Sequence, residues 1–167
     1  MDAERFRKEF LPYHQKLYRI AFRIVQNQVY AEDIIQDTYI KLWEKREELD
    51  TINNSESFII AVLRNMCLDF LRSIKNKRTE EYNPNLNDMA ETSLSKQLDE
   101  KDDVDCMKKL INELPEQQRQ VIMFKDWDGY SNEEIETIMG LSAANVRVIL
   151  SRARKTVREQ FFKQYRA

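Results

Sequence analysis

DGYSNEEIETIMGLSAANVRVILSRARKTVR, residues 128–158, decides the fold. Ser131 with Glu134 three residues on has the pattern of a capping box, so a helix starts there. Ile135, Ile138 and Met139 recur at helical spacing and give it one apolar face. Gly140 ends it, because glycine enters a left-handed turn without steric cost. Ser142 can cap a second helix, in which Val146, Ile149, Leu150, Ala153 and Val157 form the apolar stripe. Asn145, Arg147, Val148, Ser151, Arg152, Arg154 and Lys155 are left outside that stripe. Two short helices joined by a glycine turn, the second one basic, predict a helix-turn-helix. An ordinary helical hairpin with a solvated basic face would share the apolar spacing. The one-sided charge favours nucleic acid.

Outward from this stretch, the composition restricts the rest. Both glycines of the 167-residue chain, Gly129 and Gly140, fall inside the stretch, so the first 128 residues hold none. Sheets need turn glycines, and their absence predicts an all-α protein. The formal net charge is -2, unlike a simple DNA-binding protein, but its distribution is segregated. Residues 143–167 carry seven Lys/Arg against one Glu, and residues 79–105 carry nine Asp/Glu against two Lys. Cys67 and Cys106 have no partner at zinc or redox-motif spacing, and Cys67 reads as a small core residue. No metal site or cofactor is expected. With no signal peptide and no apolar run long enough for a bilayer, the expected setting is the reduced cytoplasm, without membrane contact.

Before the helix-turn-helix, the periodicity predicts a charged helical segment over 2–11 and an apolar stripe of Leu17, Ile20, Ala21, Ile24 and Val25. A helix over 30–46 follows, with Ile34, Ile35, Tyr39, Ile40, Leu42 and Trp43 as its apolar positions. Residues 47–57 read as a polar loop, with Ser55 or Ser57 as a cap for a long helix over 58–78. That helix has a cationic face of Arg64, Arg72 and Lys75 beside Asn65. Residues 79–103 read as a flexible acidic linker. Helices near 104–114 and 115–127 lead into the helix-turn-helix, Pro115 suiting a first turn. The fold expected is two small helical domains joined by the linker.

Two segments bring a family into view. The first is AEDIIQDTYIKLW at 31–43 with FIIAVLRNMCLDFLR at 58–72. The second is LPEQQRQVI at 114–122 with GYSNEEI at 129–135 and the helix beyond. In this order, across an acidic segment, the chain resembles an RNA polymerase sigma factor of the sigma-70 family, extracytoplasmic-function type. The resemblance implies a three-helix region 2 domain over 1–78, a linker over 79–103 and a region 4 domain over 104–167. It implies core RNA polymerase, promoter DNA and an anti-sigma factor as partners. Asp33, Gln36, Asp37 and Trp43 would grip the beta-prime clamp helices, and the apolar side of 115–127, with Phe124 and Trp127, would dock on the beta flap. Asn53, Asn54, Ser55, Arg64, Asn65, Arg72 and Lys75 would recognise and melt the -10 element. Asn145, Arg147, Val148 and Ser151 would read bases of the -35 element, while Arg152, Arg154 and Lys155 met phosphates. The linker's acidity could mimic RNA phosphates inside the polymerase, or serve only as a soluble spacer. Two departures stand out: Glu136 replaces a packed alanine of the first helix, and the recognition helix opens A-A-N-V-R.

Two other classes compete with this reading. A helix-turn-helix regulator acting without polymerase would bind promoters as a free dimer. An enzyme lacks its parts: one histidine, His14, no phosphate-cradling glycine loop and no nucleophile–base pair in view.

Overall fold

The computed structural model describes residues 1–80 and 103–165. The chain forms two compact units, Met1–Leu86 and Asn87–Ala167. Most of the expected linker, residues 81–102, lies outside the described residues. Among the described residues all regular structure is helical.

The first unit contains α1 (Ala3–Phe10), α2 (His14–Val25), α3 (Gln28–Glu44) and α4 (Ser55–Glu80). A 3-10 turn over Leu11–Tyr13 joins α1 to α2, and Pro12 is its second residue, within the first turn, where its missing N–H costs little. α2, α3 and α4 pack against one another, and α1 adds a further helix along α4. The core is the apolar stripe of each helix: Leu17, Ile20 and Ala21 from α2, Ala31, Ile34, Ile35 and Leu42 from α3, and Ile59, Ile60, Leu63 and Cys67 from α4. Phe6 and Phe10 bring α1 into it. Each large aliphatic side chain among them stabilises the unit by about 1.5–3 kcal/mol through burial. Thr38 is fully buried, and its hydroxyl is satisfied by donating to the Ile34 carbonyl at 2.7 Å.

α2 ends in Gln26, whose φ of 53 places it in the left-handed region. Asn27 then caps α3, its side chain accepting from the Tyr30 N–H at 3.0 Å. Ile40 is 57% exposed, contrary to its expected apolar role. The buried positions 31, 34, 35, 38 and 42 define one face, and position 40 lies roughly 140° from Ile35 at about 100° per residue.

The polar stretch 47–57 is more ordered than a loop. A 3-10 turn occupies Glu48–Thr51, with Leu49 buried beneath it. The cap of α4 is Asn54, whose side-chain oxygen accepts from the Ser57 N–H at 3.0 Å. The expected caps, Ser55 and Ser57, are instead helical residues.

The second unit contains α5 (Asp103–Asn112), α6 (Glu116–Ile122), α7 (Asn132–Met139) and α8 (Ala143–Tyr165). Pro115 is the extended residue that precedes α6, rather than a member of its first turn. α6 does not continue as α-helix to 127. A wider π turn spans Met123–Trp127, and the Asp128 N–H reaches the Met123 carbonyl at 2.9 Å. The extra residue in that turn shifts Trp127 away from the face of Phe124. Phe124 is buried in the core, and Trp127 is 49% exposed. α5, α6 and α7 all pack on α8 or its neighbours, around Leu110, Val121, Ile135, Ile138, Val146, Leu150, Ala153 and Val157.

Candidate nucleic-acid interface

The helix-turn-helix forms as its residues dictate. Ser131 Oγ accepts from the Glu134 N–H at 3.1 Å, and Glu134 Oε1 accepts from the Ser131 N–H at 3.2 Å. Two donors that the first turn of α7 leaves without helical partners are thereby satisfied. Gly140 ends α7 at φ 64, and its N–H reaches the Glu136 carbonyl. An alanine there would cost about 1 kcal/mol in left-handed backbone strain. Ser142 caps α8, its Oγ accepting from the Asn145 N–H at 3.2 Å. Val146, Leu150, Ala153 and Val157 face inward; Ile149, expected with them, is half-buried at the edge of the stripe.

Opposite the stripe, Asn145, Arg147, Val148, Ser151, Arg152, Arg154 and Lys155 are all exposed. Their helical angles separate them, at about 100° per residue. Val148, Ser151 and Lys155 occupy the outermost line. Arg147 and Arg154 share one shoulder, and Asn145 and Arg152 the other. Arg154 differs from its neighbours. Its Nε donates to Asp126 Oδ2 at 2.9 Å, and a second guanidinium nitrogen reaches Oδ1 of the same carboxylate. That hydrogen bond, partly offset by desolvation, raises the guanidinium above its ordinary pKa. Arg154 therefore ties α8 to the π turn, and the phosphate contact expected of it would have to break a two-pronged ion pair.

On the first unit the expected -10 residues lie along α4 and the segment before it. Positions 61, 65, 68, 72 and 75 make one stripe, on which Asn65, Arg72 and Lys75 are exposed; Arg64 flanks it, half-buried. From Ser55 to Lys75 this surface runs about 30 Å, at 1.5 Å per residue, so it suits a strand rather than a single nucleotide. Arg72 Nη1 pairs with Asp69 Oδ1 at 3.2 Å, one turn away and well exposed. In the segment before α4, Asn53 and Asn54 are exposed, but the Asn54 side-chain oxygen is held by the cap. Ser55 Oγ donates to Glu9 Oε2 at 3.3 Å, which leaves Asn53 as the side chain best placed to meet a base.

α3 turns Asp33, Gln36 and Asp37 outward within an arc of roughly 100°, together with exposed Val29, Ile40 and Glu44. Trp43 sits beside this face and is 37% exposed. Its ring meets Phe6 edge-on at 5.3 Å between centroids, and the Arg46 guanidinium lies 4.6 Å from its centroid. Trp43 is thus held from two sides while part of its surface faces solvent. On the second unit the Lys108 ammonium lies 4.8 Å from the centroid of exposed Trp127.

Burial pushes the Cys67 thiol up to about 12, so it stays protonated at neutral pH. Among the described residues no cluster of three or more His, Cys, Asp or Glu is placed to hold a metal ion, and no helix is long and apolar enough to cross a membrane.

The Sigma-70 region 2 description matches residues 10–78, and the Sigma-70 region 4 description matches residues 105–157. The chain belongs to the sigma-70 family. It is of the extracytoplasmic-function type, a designation that several of its relatives carry. It is 30% identical to RNA polymerase sigma factor SigV of Bacillus subtilis, over 90% of this chain and 87% of that protein. It is 23% identical to the probable RNA polymerase sigma factor RfaY of Xanthomonas campestris, covering 87% of this chain but only 38% of that longer relative. Among solved structures, the sigma factor RpoE of Bartonella quintana, crystallised in complex with the anti-sigma factor NepR, shares the fold. The TM-score is 0.67 and the identity 24%, over 94% of this chain and 96% of that one.

Within the sigma-70 match, α2, α3 and α4 constitute region 2, and α5 to α8 constitute region 4. Glu136 is accommodated at the rim of the helix-turn-helix, where it is half-buried. The surface positions of Ile40 and Val29 do not follow from their residue type, although the spacing of Ile34, Ile35, Thr38 and Leu42 contains the signal. The Arg154–Asp126 pair leaves no such signal, because its partners are 28 residues apart.

Proposed function

We propose that this sigma factor delivers core RNA polymerase to promoters by dividing the work between its two units. In region 2, Asp33, Gln36 and Asp37 accept hydrogen bonds from a cationic helix pair, the beta-prime clamp helices, with Trp43 and Ile40 as apolar anchors. The segment 53–55 and the α4 stripe take the -10 element as a single strand. Asn53 meets a base edge, Asn65 lines the base pocket, and Arg64, Arg72 and Lys75 follow phosphates. Region 4 reads the -35 element as duplex. Arg147, Asn145 and Ser151 meet base edges, Val148 meets a thymine methyl, and Arg152 and Lys155 meet phosphates. Trp127 takes the place of the Phe124–Trp127 pair as the apolar contact for the beta flap. The protein works in the cytoplasm, carries out no chemistry itself, and is held inactive by an anti-sigma factor.

The observation that carries this reading is the exposed face of α8. It presents Asn145, Arg147, Val148, Ser151, Arg152 and Lys155 from a helix whose other side is locked into a helix-turn-helix. The test is transcription from a promoter library with core polymerase, with and without the protein. Initiation that needs both components and selects two spaced elements supports the proposal. Tight duplex binding by the free dimer, without polymerase-dependent initiation, would replace it with the stand-alone regulator.

A further inference from the structure

α1 lies almost entirely outside the stretch matched by the region 2 description, which begins at residue 10. Its polar face nonetheless holds the segment that leads into α4. Arg5 Nη1 donates to Asp50 Oδ1 at 2.7 Å, and Arg5 Nε donates to Glu9 Oε1 at 2.8 Å. The other oxygen of Glu9 accepts from Ser55 Oγ at 3.3 Å. Asp50 Oδ2 also accepts from the Met1 amine at 3.3 Å. A continuous chain of contacts therefore runs Asp50–Arg5–Glu9–Ser55. Its two α1 members sit one helical turn apart, and its two ends bracket residues 51–54. Leu49, buried beneath the 3-10 turn, fixes the same segment from below.

The arrangement is poorly suited to stabilising the unit as a whole. The Arg5 and Asp50 side chains are 51% and 46% exposed, and pairs so exposed contribute little to global stability. It is well suited to removing conformational freedom from a short segment whose ends it fixes. Asn53 is exposed in the middle of that segment.

We propose that Arg5 and Glu9 are positioning residues for -10 recognition: through Asp50 and Ser55 they hold Asn53 in the conformation that meets the base. The inference rests on the reading of Asn53 as a base-contacting residue. Neither α1 residue touches DNA; the pair acts by pre-organising the side chain that does.

The test uses the full chain with core polymerase and a promoter library in which the -35 element is fixed and the -10 element is varied. The readout is the ratio of initiation at the preferred -10 sequence to initiation at its single-base variants. That ratio does not depend on how much of the protein is folded or bound to polymerase. Arg5→Ala is expected to lower the ratio roughly three- to tenfold, the scale of coupling through one shared network. Thermal midpoint and core affinity stay near wild type, and Lys8→Ala, on a neighbouring exposed position of α1, leaves the ratio unchanged. Arg5→Ala combined with Asp50→Ala lowers the ratio no further than either alone, because both break one chain. The proposal is overturned if Arg5→Ala lowers stability, core affinity and initiation together with the ratio intact, or if the Arg5 and Asp50 effects add. Asn53→Ala separates the two failures. If it shifts -10 preference and Arg5→Ala does not, the positioning role fails and the base contact stands. If Asn53→Ala has no effect, the base contact fails and takes the positioning role with it.

Discussion

Arg154 and its neighbours on α8 show what a residue's partner changes. In sequence Arg152, Arg154 and Lys155 are equivalent cations after a recognition segment. In the structure Arg154 is held by a two-pronged pair with Asp126, while Arg152 and Lys155 face solvent, Lys155 only 4.0 Å from the exposed Glu159 carboxylate, a contact too long and too exposed to hold it back. Removing one cation that touches a phosphate should reduce the slope of log affinity against log salt by about 1. Arg152→Ala and Lys155→Ala in the holoenzyme are therefore expected to flatten that slope by about 1 each. Arg154→Ala should flatten it by less, and should instead lower the stability of region 4 by less than about 1 kcal/mol, as befits a half-exposed pair. Titrations of promoter binding at several salt concentrations, beside denaturant melts, separate the two behaviours. A full unit of flattening on Arg154→Ala would return that residue to the phosphate-binding set. Arg147→Ala is expected to cost about 1–3 kcal/mol of discrimination at a single -35 position, read from the same promoter library. Cys67 gives a prediction of a different kind. Its folded pKa lies near 12 against 9.0 for an ordinary thiol, so above pH 9 the unfolded chain releases a proton that the folded one keeps. Stability from this group is intact below pH 9 and is lost as pH rises from 9 toward 12. Between pH 8 and pH 10 the wild type should lose more of its denaturant midpoint than Cys67→Ala does; equal losses would show that the thiol ionises within the fold.

At the scale of elements, Asn54 carries two roles that a single substitution confuses. As the cap of α4 it is worth about 1 kcal/mol, so Asn54→Ala should destabilise region 2 by that amount and disturb the -10 segment as well. Asn54→Asp keeps the accepting oxygen and hence the cap, but removes the amide donors. If Asn54 contributes donors to a base, Asn54→Asp should leave the denaturant midpoint near wild type while shifting -10 preference. An unchanged preference would confine Asn54 to capping. The helices themselves are legible in the sequence because their apolar stripes are long and regular, and the helix-turn-helix is legible because Ser131, Glu134, Gly140 and Ser142 each have one local use. Non-local or irregular geometry hides the rest. The π turn over Met123–Trp127 breaks the 3.6-residue period that groups Phe124 with Trp127, and nothing in the residues announces it. The cap of α4 falls to Asn54 rather than a serine because the helix begins one turn before its apolar pattern does. The 3-10 turn at Glu48–Thr51 reads as loop because one buried residue, Leu49, anchors it.

For the whole molecule, charge sets how DNA is reached. A net charge of -2 on 167 residues gives no overall attraction to a polyanion, although α8 alone is strongly basic. Region 4 of the free protein offers few phosphate contacts, and the acidic residues of 79–105 oppose them. The free protein is therefore expected to bind promoter duplex only at the non-specific level, with Kd about 10⁻⁴–10⁻⁶ M near physiological salt. Core polymerase changes the arithmetic without changing α8. On the proposed function it holds region 2 and region 4 in fixed positions on one body, so both promoter elements are met together at a high effective concentration without the cost of ordering the segment between them. Affinity for a promoter holding both elements should then rise by at least about 100-fold, and most of that gain should vanish when either element is scrambled. Fluorescence anisotropy on labelled promoter duplexes, with free protein, free core and holoenzyme, measures each term. The stand-alone regulator predicts the reverse pattern: tight binding by free protein, a stoichiometry of two per site, and no gain from polymerase. Because only one of the two readings requires polymerase to strengthen binding, one titration with core in excess distinguishes them, even before the promoter sequence is refined.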